Sequence, residues 1–190
     1  MRAWASRNGK RLGRHATSLR PVSLPFPDPT TPRSSRTEVL LAYLDYFRSV
    51  VLDKLDGLAD TDLRTSRLPS GWTPLELLQH LIFVERRWLV WGFLGQPMAD
   101  PWGDRRDDRW HVDDDVRPAD LVAALHEQAA VTREIVTTHD LDEVGQPGER
   151  WSGAPPATLE RVLLHLVQEY ARHAGHLDIV RELADGRTGE

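Results

Sequence analysis

An all-α four-helix bundle is the fold class that three observations predict. Apolar residues recur at three- and four-residue spacing in four long stretches, capping signals bracket those stretches, and no strand-like alternation of any length appears between them. With 190 residues the chain has room for one domain of about 150 residues plus a tail.

The first helix is predicted over residues 37–55, where Val39, Leu40, Tyr43, Leu44, Phe47, Val50, Val51 and Leu55 form the apolar stripe and Gly57 sits at the stop position. The second opens at Thr73-Pro74-Leu75-Glu76. Thr73 is placed to cap the first turn, Pro74 suits a position whose N–H has no helical partner, and Glu76 completes a capping box. This helix is expected to reach residue 94 and stop at Gly95-Gln96-Pro97. It is apolar nearly all round, which belongs at the centre of a bundle. The third is predicted over residues 118–139, with Leu121, Ala124, Leu125, Val131, Ile135 and Val136 periodic, and the fourth over residues 158–184, ending before Gly186.

Residues 96–117 form a connection long enough to expect a function or a covering role. Its acids, Asp104, Asp107, Asp108 and Asp113 to Asp115, lack the ligand order of a calcium loop and read as a solvated acidic stretch. Its aromatic residues need an apolar surface to cover. The segment is therefore expected over the mouth of a pocket, with Trp102 or Trp110 lining a substrate channel; plain docking on the bundle exterior is the competing reading.

Residues 1–36 carry eight basic side chains and one acid, Asp28, so 16 basic groups face 28 acidic ones in the rest. That acidic body argues against nucleic-acid binding, which needs a clustered positive field. The tail has no long apolar run, so it is not a secretory signal, although its acid-poor composition is like that of an organellar transit peptide. Plainer readings are a disordered tail, or a reading frame begun upstream of the true start; five prolines (Pro21, Pro25, Pro27, Pro29, Pro32) end it in an extended linker. The domain proper is placed at residues 37–189. The most apolar window, residues 75–94, is broken by Glu76, Gln79, His80, Glu85, Arg86 and Arg87, so no membrane span is expected. The chain has no cysteine, so a metal site must use His, Asp and Glu, and thiol chemistry must come from a small molecule.

The fourth helix carries the chemistry. His165, Glu169, His173 and His176 fall at about 0°, 40°, 80° and 20° on a helical wheel, one face that overlaps the edge of the apolar stripe. Burying such groups requires compensation. Pairs four apart converge on a single ion, and His165/Glu169 and Glu169/His173 both qualify; His173/His176 is a three-apart pair. His80, set among Leu77, Leu78, Leu81 and Ile82, is a further ligand candidate. A hydrogen-bonded core histidine and a polar network along the fourth helix are the plainer alternatives. Phosphate-binding glycine loops and Gly-x-Ser-x-Gly are absent.

The run from Arg161 through His165, Glu169, His173 and His176 to Glu182 resembles the last helix of the DinB-like superfamily, especially an actinobacterial branch of unknown function. Gly71-Trp-Thr-Pro-Leu-Glu-Leu-Leu-Gln-His80-Leu and Val84-Glu-Arg-Arg-Trp88 are similar to its second helix, and Arg109-Trp-His-Val112 and Asp185-Gly-Arg-Thr-Gly189 also fit. The resemblance spans residues 37–189. It implies an up-down-down-up bundle with a divalent ion (Zn, Ni or Fe) on His80, Glu169 and His173. Many members have His at the position of Glu169; relatives of mycothiol-dependent maleylpyruvate isomerases have Glu there, as this chain does. His176 matches a position that is often Gln, which sets it behind the ligands.

The function expected is a metal-dependent thiol S-transferase or isomerase using mycothiol as cosubstrate and a small-molecule electrophile. His176 and His165 would orient a ligand or shuttle a proton. A metal-assisted hydrolase and a non-catalytic metal- or ligand-binding, stress-linked bundle are the alternatives. The expected setting is the cytoplasm, with no nucleic-acid or membrane partner; a homodimer is among the assemblies open to it.

Overall fold

The structure, a computed structural model, describes residues 24–188. It is mostly helical. Helix α1 covers Arg36–Leu55, α2 Asp60–Leu63, α3 Pro74–Glu85, α4 Pro118–Thr138 and α5 Leu159–Asp185. Among the described residues no helix is long and apolar enough to cross a membrane.

The ends form as their chemistry dictates. Ser35 caps α1 by accepting from the Glu38 N–H, and the Thr73–Glu76 capping box is closed in both directions. Gly186 ends α5 in the left-handed region, at φ +79°.

Helix α1 packs most extensively along α5. Arg36, at the start of α1, reaches Glu160 at the start of α5 (2.8 Å), and Arg181, near the end of α5, donates to the Lys54 and Asp56 carbonyls (2.8 and 2.6 Å). Helix α3 lies against α4 and α5. Leu44, Leu77, Leu81, Leu163 and Leu166, from α1, α3 and α5, are fully buried between them.

A buried polar knot ties four helices together. Glu85, completely buried at the end of α3, accepts from Arg48 Nε and Nη2 of α1 (2.9 and 2.8 Å), Thr132 of α4 (2.5 Å) and the Tyr170 hydroxyl of α5 (2.5 Å).

Three features depart from the sequence expectation. The second predicted helix is not α-helical throughout: from Arg86 to Phe93 it widens into a π-helix, with the Leu94 N–H bonded to the Leu89 carbonyl at 2.9 Å. A run apolar on every side carries no periodic signal that separates 3.6 residues per turn from the wider π turn. The second is a two-stranded hairpin, where none was expected. β1 (Arg105–Arg106) pairs antiparallel with β2 (Arg109–Trp110), and Asp107 and Asp108 turn the chain with φ of 51° and 60°. Two-residue hairpin turns require that left-handed geometry, which Asp tolerates, but two-residue strands are too short to show alternation. The third is the short α2.

Residues 24–35 lie against α1, with the Phe26 ring edge-on to Tyr43 and Tyr46 at 6.0 and 5.3 Å. The rest of the sequence read as a tail, residues 1–23, is outside the described residues.

Candidate metal centre

Helix α5 sets Glu169 between two imidazoles. His165 Nε2 lies 3.7 Å from one carboxylate oxygen and His173 Nε2 3.3 Å from the other, as spacing of four residues on one face dictates. His80 arrives from α3 with its Nε2 4.0 Å from the same oxygen that faces His173. One donor atom from each of His80, Glu169 and His173 lies within 4.8 Å of the others. A tetrahedral ion with bonds near 2.0–2.1 Å holds its ligands about 3.3 Å apart. The three donors therefore need only small side-chain adjustments to share one ion, and two imidazole nitrogens with one carboxylate suit a divalent metal.

The orientation of His80 is fixed from behind. Its Nδ1 lies 2.9 Å from Asp104 Oδ2, and Arg87 grips the same carboxylate through two nitrogens, at 2.6 and 3.1 Å. An ionised carboxylate only accepts, so Nδ1 carries the proton and Nε2 turns its lone pair toward Glu169. This corrects the reading of Asp104 as part of a solvated loop: Asp104 is fully buried, while Asp107 and Asp108 are exposed. Asp104 sits among six acids with nothing in the sequence to set it apart. Arg87 left a clearer trace, as a charge inside an apolar helix.

The electrostatics shift His80 and Glu169 in the direction a metal site needs. Burial lowers the His80 pKa, with Asp104 opposing. The Glu169 carboxyl is held below its ordinary value by its hydrogen bond from His173, against the cost of burial. Asp104 is also held low: burial raises it, but His80 and Arg87 together outweigh that. Burial lowers His165, with Glu169 opposing and Arg150 reinforcing. His176 is lowered by burial and by His173. A His80 shifted toward the neutral imidazole and a Glu169 shifted toward the carboxylate are in the states a metal requires.

The other predicted residues divide. Trp110, carried in by β2, stacks on the His80 ring (centroids 4.2 Å, planes 22° apart) and stands 5.4 Å from the His173 ring. Trp102 is not brought to the cluster. It is 45% exposed and meets the site only through Arg87, whose guanidinium lies 4.6 Å from its ring. His176 touches His173 through their Nδ1 atoms (3.3 Å), away from the convergence point. His165 packs on the Trp88 ring at 4.5 Å. Beside Trp110 opens a cleft of about 850 Å³, lined by Trp72, Trp110, His111 and the hairpin.

Sequence reasoning also missed the wall next to His165. The π-helix presents Trp88, and a 3₁₀ turn, Glu149–Trp151, packs on it: Trp151 Nε1 donates to the Gly92 carbonyl (3.2 Å), and the Arg150 guanidinium lies 3.9 Å from the Trp88 ring centre. A Cβ on Gly92 would stand 3.1 Å from the Arg87 carbonyl and 3.4 Å from Arg150 and Trp151, so the turn packs directly on this stretch of the π-helix.

No curated protein is a significant match to the chain. The family model described as Mycothiol-S-transferase matches residues 39–186, nearly the whole of the described domain. That family is part of the DinB-like superfamily, in agreement with the resemblance of the α3 and α5 motifs, and the chain belongs to the mycothiol-S-transferase family.

Proposed function

We propose that this protein is a divalent-metal-dependent S-transferase that joins a mycothiol-type thiol to a small electrophile. The observation that carries the reading is the convergence of His80 Nε2, Glu169 and His173 Nε2 in a chain of this family. Three protein ligands leave coordination positions open, as catalytic sites do. A divalent ion held there supplies Lewis acidity, which lowers the pKa of a coordinated thiol. A two-His, one-Glu donor set suits Zn, Ni or Fe.

The chain's own residues do the rest. Asp104 holds the His80 tautomer, and Arg87 keeps Asp104 ionised. His165, a neutral imidazole 3.7 Å from Glu169, takes the proton that the thiol releases. His176 orients the His173 ring from behind. Trp110 forms the partition between the ligands and the open cleft, through which the bulk of the thiol cosubstrate is received. Trp102 acts at most on Arg87, so the role expected for it passes to Trp110.

The reading includes an up-down-down-up bundle. Its support is that α1 and α5 meet start to start and end to end, whereas His80 meets His173 and Trp88 meets His165, so α3 runs against α5. A cytoplasmic setting suits a chain without cysteine whose chemistry depends on a reduced small thiol.

The test is metal-loaded protein with mycothiol and a panel of electrophiles, following loss of free thiol. Metal-dependent conjugation that disappears in His173→Ala supports the reading. Protein with full metal and no thiol consumption above background across the panel overturns it in favour of a metal-binding bundle without catalysis.

A further inference from the structure

Arg150 is out of balance with the other cations around the site. Arg87 is paired to Asp104 and Arg48 to Glu85, each through two nitrogens. Arg150 has no carboxylate, carbonyl or hydroxyl partner among the described residues, and its Nε is buried without a hydrogen bond. Instead its guanidinium sits over Trp88, 3.9 Å from the ring centre. Trp88 is in turn 4.5 Å from the His165 ring, and His165 is 3.7 Å from Glu169. The field of Arg150 reaches both His165 and Arg87.

The position is built rather than incidental. Trp151 anchors the turn through carbonyls of Gly92 and Gln146, at 3.2 and 2.9 Å. With Nε buried, the two terminal nitrogens of the guanidinium are the ones left to take a partner, and their fork matches a carboxylate. A partly buried cation without a counter-ion, separated from Glu169 by the rings of Trp88 and His165, is suited to an anion that arrives with the substrate.

We propose that Arg150, seated on Trp88, is a specificity-determining residue that receives a carboxylate on a ligand of the metal centre. This rests on the metal reading above. The carboxylate belongs either to the thiol or to the electrophile, and separate arms of one experiment tell them apart.

The experiment uses the full chain loaded with Co²⁺, whose thiolate charge-transfer absorption reports binding without turnover. In the first arm 3-mercaptopropionate is compared with neutral 2-mercaptoethanol. In the second, succinate is titrated into the 2-mercaptoethanol complex. Wild type is expected to favour the charged probe about tenfold in one arm, and Arg150→Gln to bring that preference close to one while binding 2-mercaptoethanol within about twofold of wild type. Arg150→Lys should keep part of the preference. A preference that survives unchanged in Arg150→Gln, or none in either arm, overturns the assignment of Arg150 while leaving the metal reading intact. Protein that binds no Co²⁺ overturns the metal reading and this inference with it. Retained 2-mercaptoethanol binding shows that the variant is folded.

Discussion

Two sheltered carboxylates in this protein are treated in opposite ways. Glu85 on α3 accepts from Arg48, Thr132 and Tyr170, and no solvent reaches it. Glu169, next in sequence to Tyr170, faces His165, His173 and His80, and its side chain keeps 19% of its surface exposed. The neighbours of Glu85 are donors with fixed protons, so that cluster is complete as it stands. The neighbours of Glu169 are imidazoles, each with a nitrogen that can give up its proton or already has none, so that cluster can offer lone pairs to a shared point. A buried network that satisfies itself holds helices; one whose lone pairs converge holds a cation.

The largest effect should come from breaking the closed cluster. Glu85→Ala strands the Arg48 guanidinium in the core, and loss of one partner of a buried pair costs about 3–5 kcal/mol. Urea unfolding should show that loss, while metal bound per folded chain stays near wild type. The pH dependence has a defined sign. Burial pushes the Glu85 carboxyl up, but the charge and hydrogen bonds of Arg48, with those of Thr132 and Tyr170, outweigh it, so its pKa is lowered in the folded protein. Its contribution is therefore complete above the unfolded value of about 4.3 and is lost as pH falls through the lower folded value. Glu85→Gln should flatten the stability profile below about pH 4.3; an unchanged slope would place the acid sensitivity elsewhere.

Next come the ligands of the open cluster. His80→Ala and His173→Ala should each weaken metal binding by about 100-fold or more, about 2.8 kcal/mol at about 1.4 kcal/mol per decade. Chelator competition reads this directly, and full occupancy in both variants would refute the ligand set. Asp104→Ala should cost less, about 10- to 100-fold, because the metal would keep its ligands and lose only the group that aims one of them. Asp104→Asn, which can still accept at Nδ1, should recover part of the loss. Equal losses in the two would mean that the charge opposite Arg87, rather than the orientation of His80, matters there.

The two clusters were unequally legible in the sequence. His165, Glu169, His173 and His176 lie on one continuous helix, where spacing alone fixes their common face, and His80 stood out as a polar residue in an apolar run. The helix limits were legible where Thr73, Glu76 and Gly186 form real caps and stops, whereas the Ser35 cap of α1 came only with the structure. What stayed hidden depends on chain reversals or on a change of helical pitch. Asp104 reaches His80 only because the hairpin folds back, and Trp110 rather than Trp102 meets the ligands because β2 is the strand that lies beside α3. Trp88 and Arg150 come together through a π-helix and a 3₁₀ turn, neither of which has a periodic signature.

The smallest expected effect tests whether Trp110 belongs to the ligand cluster or to the cleft. Its ring lies on His80 and also lines the cleft with Trp72, 6.1 Å away. His80 is already oriented by Asp104, so removing the indole should leave metal content close to wild type. An aromatic contact is worth about 0.5–1.5 kcal/mol, so Trp110→Ala should weaken thiol binding to the metal-loaded protein by about two- to tenfold. Titration calorimetry with mycothiol, beside chelator competition for the metal, separates the two quantities. Trp102→Ala is the control, since that ring touches Arg87, Arg105 and Trp91 but none of the ligands. If Trp110→Ala loses metal affinity while thiol binding to the remaining metal-loaded fraction is unchanged, the indole braces His80 in the manner of Asp104. The boundary between closed and open clusters then moves outward by one ring, and the cleft must recognise its ligand through Trp72 and the hairpin.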